Sequence, residues 1–478
     1  MNKIRLVYEH WFHDGNQDRP FLNGVHPAVY SYIKKWYGYR ITNLEAVKNH
    51  IRNFNQDHHW GSLFTHENLL SYYKQFYGLQ TCIKLEDVQD DDCIYLWPLE
   101  VGGVLRHFYK EELKLSIEGT EYNYTFWDAI SPEMLAHLRS GKIKMLINMI
   151  HDPLTSDFDV RHIEKKVIEN GISPNNVILI AGNKMDSYSM TVPLNRKIKI
   201  TSGMIMVQQA GDKLLPGRYP DVTGLGYQSD LVRPVDLNPN HLRGKKFICF
   251  NRQMRKHRYF LMYLALKHGL IDEGYWSFLI GQPNQHDISQ FLNFYNIDNN
   301  GAPEIIEKMI SMIPYELDTQ HIPYHQKSGF PTNNYKKELY LDSYIHIVSE
   351  TLFDEGDHKY PFFSEKSFHG IVNLQPFIYV GNNLGLEKLR SWGMKTFSPF
   401  IDESYDTVID PTLRAKIVES NLLKFHNMTI NEIHDWYYSI VDILIHNQET
   451  VKELSKIDPF KDAFDDITKW YTKNEIIE

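Results

Sequence analysis

The sequence predicts an α/β chain of two parallel-sheet domains followed by a helical C-terminal segment. Three observations carry that expectation. Short β-rich runs alternate with helix-period segments in two separate stretches, 142–180 and 245–400. Glycines stand where the helices of those stretches should end, at Gly171, Gly269 and Gly393. Between the stretches, residues 216–239 are rich in Pro, Gly, Asp and Asn, which is the chemistry of a linker.

In the first stretch, residues 142–150 (KIKMLINMI) read as a strand. Residues 158–170 carry helical periodicity, with Val160, Ile163, Val167 and Ile168 on one side, and 177–180 (VILI) reads as a fully buried strand. A strand, a helix and a strand within about forty residues imply a right-handed crossover and a parallel, Rossmann-like sheet. Upstream strand candidates are 4–8 and 93–97, and 198–207 follows. The second stretch reads as strand 247–250, loop 251–258, helix 259–268, strand 276–280, strand 344–349, helix 365–374, strand 376–381, helix 386–392 and strand 395–400. From Pro411 onward the pattern is helical.

Length supports the same division. The chain has 478 residues, more than one hydrophobic core usually serves. The reading is an N-terminal domain over 1–235, a second over 236–410 and helices over 411–478 packing back on them. Hydrophobic residues make up 42% and charged residues 23%, as in an ordinary globular protein. The net charge of -9 argues against general electrostatic attraction to nucleic acid and leaves room for a local basic groove. Three cysteines, Cys82, Cys93 and Cys249, have neither disulfide-framework nor zinc spacing. With no signal-peptide pattern and no apolar run of about 20 residues, the expectation is a cytoplasmic protein without a membrane span.

Two clusters carry the chemistry. FNRQMRKHR, 250–258, places Arg252, Arg255, Lys256 and Arg258 between a buried strand and a helix start. In an open α/β sheet ligands bind beyond the carboxyl ends of strands, and helix N-termini favour anions. A diphosphate needs cations and N–H donors at such a place, and arginine pairs with it bidentately. Asn251, Arg252, Lys256 and Arg258 are therefore candidate donor-binding residues; a solvated basic loop is the plainer alternative. The second cluster follows the strand that ends at Ser349-Glu350. There Ser364-Glu365-Lys366 opens a helix, with Ser364 expected as its N-cap. Glu365 is placed to accept hydrogen bonds from ribose hydroxyls and Lys366 to neutralise a phosphate. Helix-dipole complementarity would also account for Glu365 alone.

SEKSFHGIVNLQPFIYVG, 364–381, resembles the nucleotide-sugar signature of GT-B glycosyltransferases similar to the fucosyltransferases. FNRQMRKHR resembles the basic donor-phosphate segment that precedes that signature. The continuation LRSWGMKTFSPFIDESYD is similar to a group of phage and marine bacterial proteins labelled as glycosyltransferases. The resemblance covers about residues 245–415 and implies a GT-B-like fold, two Rossmann-like domains facing a cleft. It implies a UDP- or GDP-sugar donor, no obligatory cofactor or metal, and donor contacts from Glu350, Glu365 and Lys366. The second glutamate of the broader GT-B pattern would fall at Asn373, so the retaining pair is absent and inversion is the expectation.

Inversion requires a base to deprotonate the acceptor while the diphosphate leaves with cationic help. Asp14, His151 and Asp152, each after a predicted strand of the N-terminal domain, are the candidates; each also reads as a structural polar residue. FSPFIDESYD, 397–406, concentrates Asp402 and Glu403, which would bind sugar hydroxyls or cap the following helix. Asp157-Phe158-Asp159 matches the Asp-x-Asp that holds a cation in GT-A enzymes, but it fits a helix-start cap better. The acceptor is read as a glycan or a modified base in phage duplex DNA. A non-catalytic binding or virion protein that keeps the fold is the competing class.

Overall fold

Runs of β-branched, aliphatic and aromatic residues build two separate parallel sheets in the computed structural model of the chain. The structure describes residues 3–8, 82–85, 88, 93–100, 113–117, 120–124, 132–149, 157–181, 199–202, 231–253, 255–280, 291–295, 297, 303–313, 315, 337–354 and 361–456. Described residues up to 202 belong to one unit and those from 231 to 456 to a second.

In the first unit, β1 (Lys3–Tyr8), β2 (Cys82–Lys84), β3 (Cys93–Glu100), β6 (Lys144–Met149), β7 (Val177–Ala181) and β8 (Lys199–Ser202) form a sheet of order β2-β1-β3-β6-β7-β8. Every pairing is parallel. Met145, Leu146, Ile147, Val177, Ile178 and Leu179 are all buried, the near-continuous apolar run that a sheet covered on both faces requires. Two helices, α1 (Pro132–Ser140) and α2 (Asp157–Glu169), flank β6 in sequence. Just past the end of α2, Gly171 has a φ of 73°, in the left-handed region expected of a glycine stop. The strand β2 and the antiparallel hairpin of β4 (Leu113–Ile117) and β5 (Thr120–Tyr124) carry no alternation strong enough to have been expected.

The second unit holds β9 (Lys245–Gln253), β10 (Gly274–Ile280), β11 (Ser343–Ser349) and β12 (Phe377–Val380), all parallel, in the order β10-β9-β11-β12. β11 and β12 are buried at every position. The helix α3 (Lys256–Lys267) connects β9 to β10 and is buried without a break from His257 to Ala265. A helix apolar on all sides must be covered on all sides. Its outer surface meets α4 (Pro303–Met312) and an aromatic layer in which Phe260 stacks on Tyr295 at 4.4 Å. Further along, α5 (Lys337–Leu341) precedes β11, and α6 (Lys366–Val372) connects it to β12. The last elements are α7 (Gly385–Ser391), α8 (Pro411–Asn427), α9 (Ile430–Ser439) and α10 (Val441–Leu454).

The C-terminal helices belong to the second unit. On α10, Gln448 donates to the carbonyls of Val232 and Val372, at 2.9 and 2.8 Å. Tyr437 on α9 donates to the carbonyl of Leu374 at 2.7 Å. They thereby satisfy buried carbonyls at the turn between α6 and β12 and in the segment ahead of β9. Asp410 caps α8 by accepting from the N–H groups of Thr412 and Leu413.

Two expectations are corrected. Residues 395–400 form no strand. The Lys395 backbone exchanges hydrogen bonds with the Asn447 amide, and the Phe397 N–H goes to Glu403 Oε1, so side chains take the groups a ladder would use. The stretch 251–258 is not one loop: β9 runs on to Gln253 and α3 already begins at Lys256.

Candidate functional site

The order β10-β9-β11-β12 creates one place where the chain leaves neighbouring strands in opposite directions. β9 leads through α3 to β10 on one side, while β11 leads through α6 to β12 on the other. A crevice at the carboxyl ends of such a strand pair is the standard ligand position in open α/β sheets. His346 lies opposite Ile248 in the β11–β9 register, which brings Ser349 level with Asn251 at the sheet's upper edge.

Glu350, the first residue beyond β11, organises this edge. Its carboxylate is 0% exposed and accepts four hydrogen bonds. They come from the N–H groups of Thr351 (2.7 Å) and Ser364 (3.0 Å) and from the hydroxyls of Ser364 (2.7 Å) and Ser367 (2.5 Å). A buried carboxylate is tolerated when hydrogen bonds replace its lost hydration, as here. Glu350 therefore ties the end of β11 to the start of α6, and its role in this geometry is to hold the edge rather than to face solvent.

The cationic segment after β9 is divided by burial. His257 and Arg258 turn inward. His257 Nε2 lies 2.8 Å from the Glu350 carbonyl, and its ring stacks on Phe353 at 5.6 Å. Burial holds the imidazole well below its usual range, assisted by the charge of Arg258. The neutral ring must then carry its proton on Nε2, because a carbonyl only accepts. Arg258 is 3% exposed and donates to the carbonyls of Glu350 (3.0 Å) and Ser349 (3.4 Å). Desolvation lowers its pKa to about 10, which leaves it charged at neutral pH. Expected as a direct phosphate ligand, Arg258 instead places its charge beneath the strand end.

Lys256 and Lys366 are partly exposed. Lys256 is 36% exposed, pairs with Asp354 at 3.1 Å and lies 4.6 Å from the centre of the Phe294 ring. Lys366 pairs with Glu365 at 2.5 Å and approaches the Ser364 hydroxyl at 3.4 Å. Ser364 was expected as the N-cap of α6. Glu365 holds that position without a side-chain cap bond, and Ser364 Oγ accepts from Lys366 N at 3.4 Å from one residue earlier. Asn251 is buried at the end of β9, with its amide group donating to Cys249 Sγ at 3.3 Å. The Arg252 side chain and the base candidates Asp14, His151 and Asp152 lie outside the described residues.

A fourth cation at this edge has no local signal in the sequence. Arg414, on α8, is 1% exposed and donates to the carbonyls of Phe353 and Val408. Only the tertiary fold brings α8 against the segment after β11. Asp354, the partner of Lys256, has only a weak local signal, its position a few residues past a buried strand.

Asp402 and Glu403 sit elsewhere, beyond β12. Glu403 accepts from Phe397 N (2.6 Å), from Thr396 Oγ1 (2.8 Å) and from Arg390 (3.2 Å). Asp402 is exposed, and hydrogen bonds from Ser404 hold its carboxyl below the ordinary carboxylate range. α2 begins at Asp157, which sets Asp159 at its third residue; Ser156, the N-cap of the capping-box reading, lies outside the described residues.

No family model matches this chain, and a search of curated proteins finds no relative. No helix among the described residues is long and apolar enough to cross a membrane. The fold and the edge together define an α/β protein with parallel sheets and, in its second unit, a topological switch point at whose strand ends the buried Arg258 and the ion-paired Lys256 and Lys366 are found.

Proposed function

We propose that the chain is a glycosyltransferase that binds a nucleoside diphosphate sugar at the carboxyl edge of β9 and β11. One observation carries the reading. The segments after these two strands are tied together through Glu350, so that Lys256 and Lys366 both stand beside the end of β11. Two partly exposed ammonium groups backed by the buried guanidinium of Arg258 suit a diphosphate, whose departing charge must be stabilised in the transition state. Burial of Arg258 in a low dielectric strengthens its field at the crevice.

In this reading the second unit is the donor half of a GT-B-like enzyme, inverting and without an obligatory metal. Glu365 takes the ribose, and the leaving diphosphate takes Lys256 and Lys366 from their carboxylate partners. The base belongs to the first unit, where Asp14, His151 and Asp152 remain the candidates. The acceptor is a glycan or a modified base in duplex DNA; a salt-dependent affinity for duplex DNA selects the second.

The test is thermal-shift and calorimetric titration with UDP, GDP and their sugars, followed by assay of donor hydrolysis. A ligand that binds only the folded chain raises its melting temperature. Lys256→Ala and Lys366→Ala should each weaken nucleotide binding about tenfold, the worth of one charge-assisted hydrogen bond. Undiminished binding in both variants refutes this site. Binding without turnover for any donor sugar would support the non-catalytic class instead.

A further inference from the structure

Lys256, the first residue of α3, meets two partners from distant parts of the chain. Its ammonium pairs with the Asp354 carboxylate at 3.1 Å and lies 4.6 Å from the centre of the Phe294 ring. α8 fastens both. Thr412, in the first turn of α8, donates to the Phe294 carbonyl at 3.0 Å. Arg414, two residues on, donates to the carbonyl of Phe353, the residue before Asp354. The lysine is thereby seated between a carboxylate and a ring face, each held from α8 rather than from its own helix.

The two members of the ion pair differ in exposure. The Lys256 side chain is 36% exposed and that of Asp354 only 13%. A carboxylate so far removed from water is costly to leave without a partner, because nothing replaces its hydration. An anion that takes Lys256 must therefore displace a resident carboxylate, and the stranded charge opposes its binding. Arg414 reduces that opposition without removing it. Desolvation lowers the Arg414 pKa, and Asp354 is among the groups that act in the other direction, which shows that the two charges attract. Asp354 could also act in the opposite sense, by holding Lys256 ready for a ligand. The Phe294 ring already does that, since a cation–π contact keeps the ammonium in place when the carboxylate is gone. Competition is then the larger of the two effects.

On the nucleotide-sugar reading given above, on which this rests, we infer that Asp354 is a built-in competitor for Lys256 that weakens the hold on the nucleoside diphosphate and speeds its release. Calorimetry and stopped-flow dissociation of the full chain with UDP and GDP test it, on the wild type, Asp354→Asn, Lys256→Met and the double variant. Melting temperatures show that each is folded, and Asp354→Ser takes the place of the amide if that variant does not fold. Asp354→Asn should bind whichever diphosphate the wild type binds about tenfold more tightly, with the gain in slower dissociation. In the Lys256→Met background the same change should alter affinity less than about twofold, because the effect passes through the lysine. Weaker or unchanged binding in Asp354→Asn overturns the inference and leaves the crevice standing. So does a gain that persists in full without Lys256, which would mark a general change of charge. A folded wild type that binds neither diphosphate overturns the crevice itself, and the role of Asp354 with it.

Discussion

Arg414 donates to the backbone carbonyl of Phe353 while its guanidinium carbon lies 4.2 Å from the centre of the Phe353 ring. The contact joins a C-terminal helix to the segment that follows β11, and that segment carries Asp354, the partner of Lys256. Desolvation lowers the Arg414 pKa to about 10, so the group remains charged at neutral pH. Arg414→Ala takes the donor from the buried Phe353 carbonyl and the half-buried Val408 carbonyl and removes the cation–π contact, a loss of about 2–4 kcal/mol. Arg414→Met keeps most of the volume and carries no charge into the core, so it should cost less. Urea unfolding of the three proteins, with m-values unchanged, measures both.

Glu350→Gln should destabilise the chain by about 2–3 kcal/mol, because an amide N–H₂ would face a hydroxyl or N–H donor where the carboxylate oxygen now accepts. The four donors around it come from Thr351, Ser364 and Ser367, so the change loosens the start of α6. Glu365→Gln, by contrast, sits outside that network and should leave the unfolding midpoint unchanged while reducing nucleotide-sugar affinity. Hydrogen exchange of residues 364–372 separates the two effects.

Acid should destabilise the fold through His257 and His346. Burial holds His257 well below the ordinary histidine range and His346 at about 3. Above about pH 6.5 neither state binds these protons, and no penalty arises. As pH falls below that value the unfolded chain takes up protons the native one refuses. Stability then declines by about 1.4 kcal/mol per pH unit for each histidine, until the folded pKa is reached. His346→Phe should flatten part of that slope between pH 6 and 4 in chemical denaturation at fixed ionic strength.

Gly385→Ala should be destabilising by about 1–3 kcal/mol, because a Cβ there would stand 2.2 Å from Cε1 of the buried Tyr379 ring. Tyr379→Ala should be costly alone, and the double variant less costly than the sum of the two. A double-mutant cycle on melting temperature gives that coupling directly.

Much of the fold was legible before any coordinates. β6, α2 and β7 fall within one or two residues of the 142–150, 158–170 and 177–180 expectations, because apolar periodicity is local and survives packing. Gly171, Gly269 and Gly393 all adopt positive φ at helix ends, which chirality makes cheap only for glycine. The strand expected at 395–400 failed because Asn447 and Glu403, both outside it, take its backbone groups. The helical start near Lys366 was legible, yet not the earlier start of α3 at Lys256, the inward turn of Arg258 or the four bonds that occupy Glu350.

The sequence by itself determined the main strands and helices of the two parallel sheets, such as β6, α2, β7, β11 and β12, since backbone propensity and period act over a few residues. Only the tertiary structure decided which charges are buried and which face outward. Residue type and spacing place Lys256, Arg258 and Lys366 near strand ends alike. The order β10-β9-β11-β12, and helix α8 laid against the segment after β11, send Arg258 and Arg414 inside and leave the two lysines at the surface. Burial is a property of what packs from far along the chain, and no local pattern encodes it.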